Sequence, residues 1–334
     1  MDSLTQIVLG ACVTAAVVPP TDRRKAAWLG AFLGTLPDLD VFLNYGGPVE
    51  NFTRHRGFSH SLFVLAGFGT VLWLALRRWW PPVRQHPRPW LTAILLALLT
   101  HPLLDAHTAY GTQLFWPFNP PPVSWATLFI IDPLYTLPLL FAFIVVLIRP
   151  ASAFAGRCLL AGLVLSSLYL AWSWSARALV AAHARHSLSA EGHFSSRMFI
   201  TPAPFNTLLW RVVALTEGGY WEGVDSLVAD DGPMQFTFHP SESAALTDAA
   251  KNVPAVSRLR WFADGFVSAS IQNDILVISD LRMGHFPNYV FRHAVAQRGN
   301  PHWHAIPAQR LPMNSRSGLL SATWNRIWSD TQTP

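Results

Sequence analysis

Six apolar runs fill the first half of the chain, at residues 4–20, 26–43, 62–76, 90–106, 127–148 and 157–176. At 1.5 Å per residue, a helix needs about 20 such residues to cross a hydrocarbon core. Most of the runs approach that length. The first, LTQIVLGACVTAAVVPP, is marginal, and whether it spans fully or inserts halfway stays open. The second carries Gly30, Ala31 and Gly34, small residues that let helices approach closely, and it ends in Pro37-Asp38-Leu39-Asp40.

From His183 onward the pattern changes. Residues 234–239, 259–268, 274–281 and 289–297 alternate or are rich in Val, Ile, Phe and Tyr, between Pro, Gly, Asn and Asp. This predicts a small, mainly antiparallel sheet domain of α+β type, with a helix over 241–251 and a turn at Gln272-Asn273-Asp274. The expected organisation is therefore an α-helical polytopic membrane domain over 1–182, with five to six apolar helices, followed by a soluble β-rich domain over 183–334.

Composition sharpens the division. Hydrophobic residues make up 51% of the 334, and charged residues only 13%, about half the usual charged share of a soluble domain. Residues 1–184 hold 12 Lys/Arg against 7 Asp/Glu, while 185–334 hold 12 of each, so the whole +5 excess lies in the apolar half. Its members cluster at the ends of the runs, as membrane-flanking charge does. A nucleic-acid face would need a basic stripe on a folded surface, so no nucleic-acid partner is expected.

The same charges orient the chain. If all six runs cross, Arg23, Arg24, Lys25, Arg77, Arg78, Arg84, Arg88, Arg149 and Arg157 share one side, which is then cytoplasmic. Asp38, Asp40, His55, His60, His101, Asp105 and Asp132 all fall at the opposite, exterior end, as does the C-terminal domain. Arg23, Arg24 and Lys25 follow the first run instead of preceding it, so no cleavable signal peptide is expected. Cys12 and Cys158 sit inside apolar runs and offer neither a disulfide framework nor zinc spacing.

Three motifs carry the candidate chemistry. In THPLLDAHTAYG, His101 and Asp105 lie four apart and so project from one helix face. A carboxylate in a helix's last turn is disfavoured by the dipole, and an ionisable pair beside an apolar span is costly. A bound cation would offset both. In PDLD, one carboxylate can face a metal while the other orients a ligand. In HRGFSHS, His55 and His60 flank a glycine that permits close backbone approach, and Ser59 or Ser61 can cap the following helix. Three His and three Asp without sulfur suit zinc first, with manganese or iron as alternatives. Taken singly, each motif has a plainer reading as a cap, a turn or a helix fastener. Their agreement on one membrane face favours a metal. Asp132-Pro133 reads as a helix entry with Asp at the N-cap, and His107 as a neighbour of the metal helix.

The combination MDSLTQIVLGA, GTLPDLD, HRGFSHSL, THPLLDAHTAYGTQLFWPF and IIDPLYTLP resembles the YdjM-like bacterial inner-membrane proteins, regarded as membrane-bound metal-dependent hydrolases. The tail segments TPAPFNTLLWRVV, LRWFADGF, ISDLRMG and YVFR resemble the long form of that family. The resemblance implies a helical domain distantly similar to the zinc phospholipase C and P1 nuclease fold, whose HxxxD helix His101 and Asp105 match, with Asp38 and His60 as further ligands. The additional His and Glu ligands of a three-metal site are missing at recognisable spacing, so one or two ions are expected.

The expected function is a hydrolase of the bacterial inner membrane. Asp38, Asp40, His60, His101 and Asp105 would hold the metal, His55 would be a ligand or acid/base group, and Arg54 and Arg56 would stabilise phosphate charge. The expected substrate is a phosphoester of a lipid or cell-envelope intermediate. The alternative is a non-enzymatic membrane protein, either a metal or proton carrier or a scaffold with a structural metal. A carrier needs polar residues continuing through the span, and the cytoplasmic halves of the runs are apolar.

Overall fold

The computed structural model describes residues 1–193, 197–313 and 319–330. They form two compact units, and the division is not a single cut. The first unit holds residues 1–43, 56–108 and 112–173, and the second holds 44–55, 109–111 and 174–334.

The helices of the first half are α1 (Ser3–Val17), α2 (Arg23–Thr35), α3 (Pro48–Arg54), α4 (Leu62–Trp79), α5 (Pro81–Gln85), α6 (Pro87–Asp105), α7 (Pro133–Ile148) and α8 (Ala153–Ala190). Of these, α3 belongs to the second unit, and α8 passes from the first into the second. Their starts are written in the sequence. Asp2 caps α1 by accepting the Thr5 N–H at 3.1 Å, and Ser61 caps α4 through the Val64 N–H. Asp132 caps α7, its Oδ1 accepting from Leu134 and Tyr135 at 3.1 and 3.4 Å, with Pro133 at the first helical position.

Two expected boundaries move. The second run splits, because α2 ends at Thr35 and a 3-10 turn, Leu36–Phe42, carries the PDLD segment. Pro37 has no N–H to continue the α-helical ladder. The sixth run continues to Ala190, well beyond 176. Its extension, rich in Ala, Arg and Leu, has high helix propensity without being uniformly apolar. It stops at Gly192, whose φ of +74° lets the His193 N–H reach back to the Leu188 carbonyl at 2.8 Å.

In the first unit α1 is central, with Val8, Cys12, Leu139 and Leu159 in its core. It meets α2 main chain to main chain. A Cβ on Gly10 would stand 2.3 Å from the Gly30 carbonyl oxygen, one on Gly30 would stand 2.2 Å from that of Gly10, and one on Gly34 would stand 2.4 Å from that of Gln6. Only glycine permits such an approach. The outer faces are apolar, with Val71 and Leu74 on α4, Phe141 and Ile148 on α7, and Leu160 and Leu168 on α8 all exposed. Such a continuous apolar exterior is suited to hydrocarbon. By length and composition α4 and α8 can cross a membrane, while α1 and α7 are shorter apolar helices.

The second unit contains β1 (Met198–Pro202), β2 (Leu209–Thr216), β3 (Gly219–Ser226), β4 (Phe236–Pro240), α9 (Ser243–Asn252), α10 (Pro254–Phe262), β5 (Val267–Gln272), β6 (Ile275–Asp280), β7 (Gly284–His285), β8 (Asn288–Tyr289), β9 (Arg292–Gln297), β10 (His304–Leu311) and α11 (Leu319–Trp328). Two four-stranded antiparallel sheets result, ordered β1-β2-β3-β4 and β10-β9-β6-β5, with β7-β8 as a small ribbon. The expected turn is present: Asn273 and Asp274 both have positive φ, 51° and 62°, between paired Gln272 and Ile275. That is the twist a two-residue hairpin needs. The expected helix over 241–251 is α9. The expected strand over 259–268 is instead the end of α10, a turn, and the start of β5. Pro254 opens that helix, and Val256, Leu259 and Phe262 bury one face at helical spacing.

Candidate metal centre

The site is built within the first unit, from α6, the 3-10 turn after α2, and the loop entering α4. His101 and Asp105 project from one face of α6 and are fully buried. His60, in the short 3-10 turn Phe58–His60, is fully buried too. Asp38, from the Leu36–Phe42 turn, completes the group, its side chain 20% exposed.

The four donor atoms converge. His60 Nε2 lies 3.1 Å from His101 Nε2 and 3.1 Å from Asp105 Oδ2. His101 Nε2 lies 3.4 Å from Asp105 Oδ2. Asp38 Oδ1 lies 3.4 and 3.6 Å from the two imidazole nitrogens, and all four atoms fall within 4.8 Å of one another. Four ligands placed tetrahedrally at zinc distances of about 2.0–2.1 Å are separated by about 3.3–3.4 Å. Five of the six donor separations, from 3.1 to 3.6 Å, scatter around that edge length, and the sixth, between Asp38 and Asp105, lies within 4.8 Å.

The ring partners are compatible with a metal. His101 Nδ1 lies 2.6 Å from the Gly34 carbonyl, which can only accept, so Nδ1 carries a hydrogen and Nε2 is the nitrogen turned toward the cluster. Ser59 donates its hydroxyl hydrogen to Asp40 Oδ2 at 2.7 Å, and its oxygen then accepts from His60 Nδ1 at 2.9 Å. His60 Nε2 is thereby also the ring nitrogen turned toward the cluster. Two imidazole nitrogens and two carboxylate oxygens facing one point are a donor set that suits a divalent cation.

Charge around the set is partly compensated. The Arg56 guanidinium is buried, with Nε 3.3 Å from Asp105 Oδ2 and an Nη donating to Thr108 at 3.1 Å. Arg56 adopts a left-handed φ of 59°, a conformation that costs a non-glycine residue on the order of 1 kcal/mol. Bonds on both sides hold it: its N–H donates to Asp40 Oδ2 at 2.9 Å, and its carbonyl accepts from Gln113. Gln6, buried in α1, donates to Asp105 Oδ1 at 3.0 Å and to the His101 carbonyl at 3.2 Å. The Met1 amine also lies against Asp105 Oδ1.

The structure therefore sorts the expected site residues. Asp38, His60, His101 and Asp105 come together. Asp40 does not join the four; it holds Ser59 and the Arg56 backbone, because residues two apart in a 3-10 helix, at about three residues per turn, point about 120° apart. Arg56 lies at the cluster. His55 and Arg54 belong to the second unit, where the His55 ring meets Tyr110 edge-on and Arg54 is exposed at the end of α3. His107 is outside the four; its Nδ1 faces the Leu103 carbonyl and its ring abuts Trp125. Gln6, Ser59 and the Gly34 carbonyl were missed as supports of the site. A glutamine within an apolar run was the one available signal, since a backbone carbonyl leaves none.

Residues 1–180 match the family of the YdjM inner membrane protein. The chain is also 26% identical to the uncharacterized protein YfhP of Bacillus subtilis (strain 168), over 232 residues that make up 67% of this chain and 68% of that protein. No solved structure matches the chain.

Proposed function

Because the chain belongs to the YdjM inner membrane protein family, we propose that it is a membrane-bound, metal-dependent hydrolase acting on a phosphoester of a lipid or envelope intermediate. The carrying observation is the convergence of His60 Nε2, His101 Nε2, Asp38 Oδ1 and Asp105 Oδ2 within 4.8 Å of one another. A divalent cation there, with zinc favoured by two nitrogens and two oxygens, would supply an activated water at neutral pH and polarise a phosphoryl oxygen. Asp38, the one ligand with an exposed edge, faces the side from which water and substrate arrive, and its Oδ2 is the atom we assign to accept the proton of the attacking water. The P–O ester bond breaks, and the leaving oxygen takes its proton from solvent. Arg56 supplies the positive charge nearest the phosphate. His55 and Arg54 receive no step.

In the proposed topology five to six helices enter the bilayer of the inner membrane, with the metal centre and the sheet domain on the exterior face. The support is the placement of Arg23, Arg24, Lys25, Arg77, Arg78 and Arg149 at the other helix ends. A reporter fused at residue 185 that is active only in the cytoplasm would overturn it.

A second reading also has an observation behind it. Four protein donors match the ligand count of a structural zinc site, so a non-enzymatic scaffold would use the same residues. Purified protein distinguishes the two. Metal content followed by a phosphoester panel should show bound metal and turnover, both lost in His101→Ala and Asp105→Ala. Bound metal with no turnover on any phosphoester supports the scaffold.

A further inference from the structure

The segments that supply the ligands also present a surface. Phe58 stands in the same 3-10 turn as His60 and is exposed, as are Phe63 on the first turn of α4 and Phe115, Trp116 and Phe118 on the loop that follows α6. These side chains are organised in pairs, Phe58 edge-on to Trp116 with centroids 6.4 Å apart and Phe63 edge-on to Phe118 at 5.8 Å. The loop is fixed to the site segment by main-chain bonds. The Ser61 hydroxyl donates to the Trp116 carbonyl at 2.6 Å, the Leu62 N–H to the Leu114 carbonyl at 3.0 Å, and the Gln113 N–H to the Arg56 carbonyl at 3.0 Å. In the turn that carries Asp38, Leu39 separates Asp38 from Asp40 and is exposed, and Phe42 is 82% exposed.

The loop that carries Phe115, Trp116 and Phe118 is uncharged. From residue 106 through 131 the chain holds no Lys, Arg, Asp or Glu. Four exposed Phe beside a polar centre suit contact with hydrocarbon, and Trp116 suits the boundary with water. Water is a poor cover for such a patch, and the family's membrane supplies a better one.

We infer that the Phe58–Trp116 and Phe63–Phe118 pairs hold the apolar chain of a lipid substrate that reaches the metal centre sideways from the bilayer, its phosphate head at Asp38, His60, His101 and Asp105. The inference rests on the hydrolase reading and deepens it by naming the substrate as a long-chain phospholipid-like amphiphile. The aromatic pairs provide flat walls that replace neighbouring lipid chains along the tail of the substrate.

The test uses the full-length protein, zinc-loaded, in nanodiscs. The probe is a long-chain alkyl phosphonate carrying a diazirine at the end of its chain, with labelled residues mapped by mass spectrometry. Labelling should concentrate at residues 58, 63 and 115–118 and fall at least tenfold with excess unlabelled probe. Phe63→Ser and Phe118→Ser should cut it severalfold while metal content stays unchanged. Labelling spread evenly over the exposed faces of α4, α7 and α8 would overturn the inference, as would a chain-to-chain cross-link at residue 116, which would assign the patch to a second copy. Hydrolysis is read separately, with a short-chain water-soluble phosphoester and its long-chain counterpart. Turnover of the short ester without labelling of the patch leaves the hydrolase standing and removes the lipid surface. Labelling of the patch without turnover of either ester does the reverse.

Discussion

His60 Nε2 and His101 Nε2 stand 3.1 Å apart, each turned toward the other by the partner held on the opposite ring nitrogen. With Asp38 and Asp105 beside them they form a donor set suited to a divalent cation.

Removing a ligand should release the ion. In His101→Ala and Asp105→Ala, elemental analysis of purified protein should find metal falling from about one ion per chain to a small fraction of that. Full retention of metal in both variants would show that the ion sits elsewhere.

The Ser59 relay sets the tautomer of His60 without touching the ion. Ser59→Ala and Asp40→Asn should weaken metal affinity about 10–100-fold, measured by competition with a chelator, while Ser59→Thr retains the hydroxyl and should retain most of the affinity. With cobalt in place of zinc, the visible spectrum of the Ala variant should shift, because the ring is no longer held at one angle. A merely structural hydroxyl would leave that spectrum alone.

Packing between α1 and α2 reaches the site through Gly34, whose carbonyl binds His101 Nδ1. A Cβ at Gly34 would stand 2.4 Å from the Gln6 carbonyl oxygen, so Gly34→Ala must push the helices apart and pull that carbonyl from His101. Overpacking of this kind costs about 1–3 kcal/mol, and metal binding should drop with it. Gly67→Ala on α4, where a Cβ meets nothing within 4 Å, should bind metal normally. Equal behaviour of the two variants would break the link between this packing and the centre.

In the second unit, His293 is buried on β9, beside the Phe52 ring. Burial, together with the Arg310 guanidinium, pushes it down to about 4 from its ordinary 6.5, against a smaller pull upward from Asp280. The folded state therefore refuses a proton that the unfolded chain accepts. Stability is fully present above pH 6.5 and is lost as the pH falls from there to about 4, on the order of 3 kcal/mol in all. Glu222 adds a lower window: burial pushes it up, the Arg211 guanidinium more than offsets this, and its net position lies below the ordinary carboxylate range. Amide exchange across residues 275–297 should accelerate over the His293 window. His293→Leu should flatten that response, and an unchanged slope would exclude His293 as its source.

Much of this was legible in the chain. His101 and Asp105 announce themselves because helical spacing alone puts i and i+4 on one face, and α4 and α6 follow from unbroken apolar runs with Ser61 and Pro87 at their starts. The Asp132 cap was equally plain. Asp38 and Asp40 could not be separated by sequence, since their roles depend on a 3-10 turn whose period differs from both helix and strand. The meander of β1, β2 and β3 was not read as strands, because Arg211, Glu222 and Asp225 are polar groups that the fold buries as pairs. Alternation of apolar and polar residues does not register such pairs. The length of α8 was hidden for the opposite reason: its later turns are helical by propensity and not by apolar run.

Where α1 and α2 touch through Gly10, Gly30 and Gly34, no side chain stands between the two backbones to yield or adjust. The carbonyl that orients His101 belongs to the main chain of α2 at this contact, so the direction of the imidazole is tied to the register of the two helices.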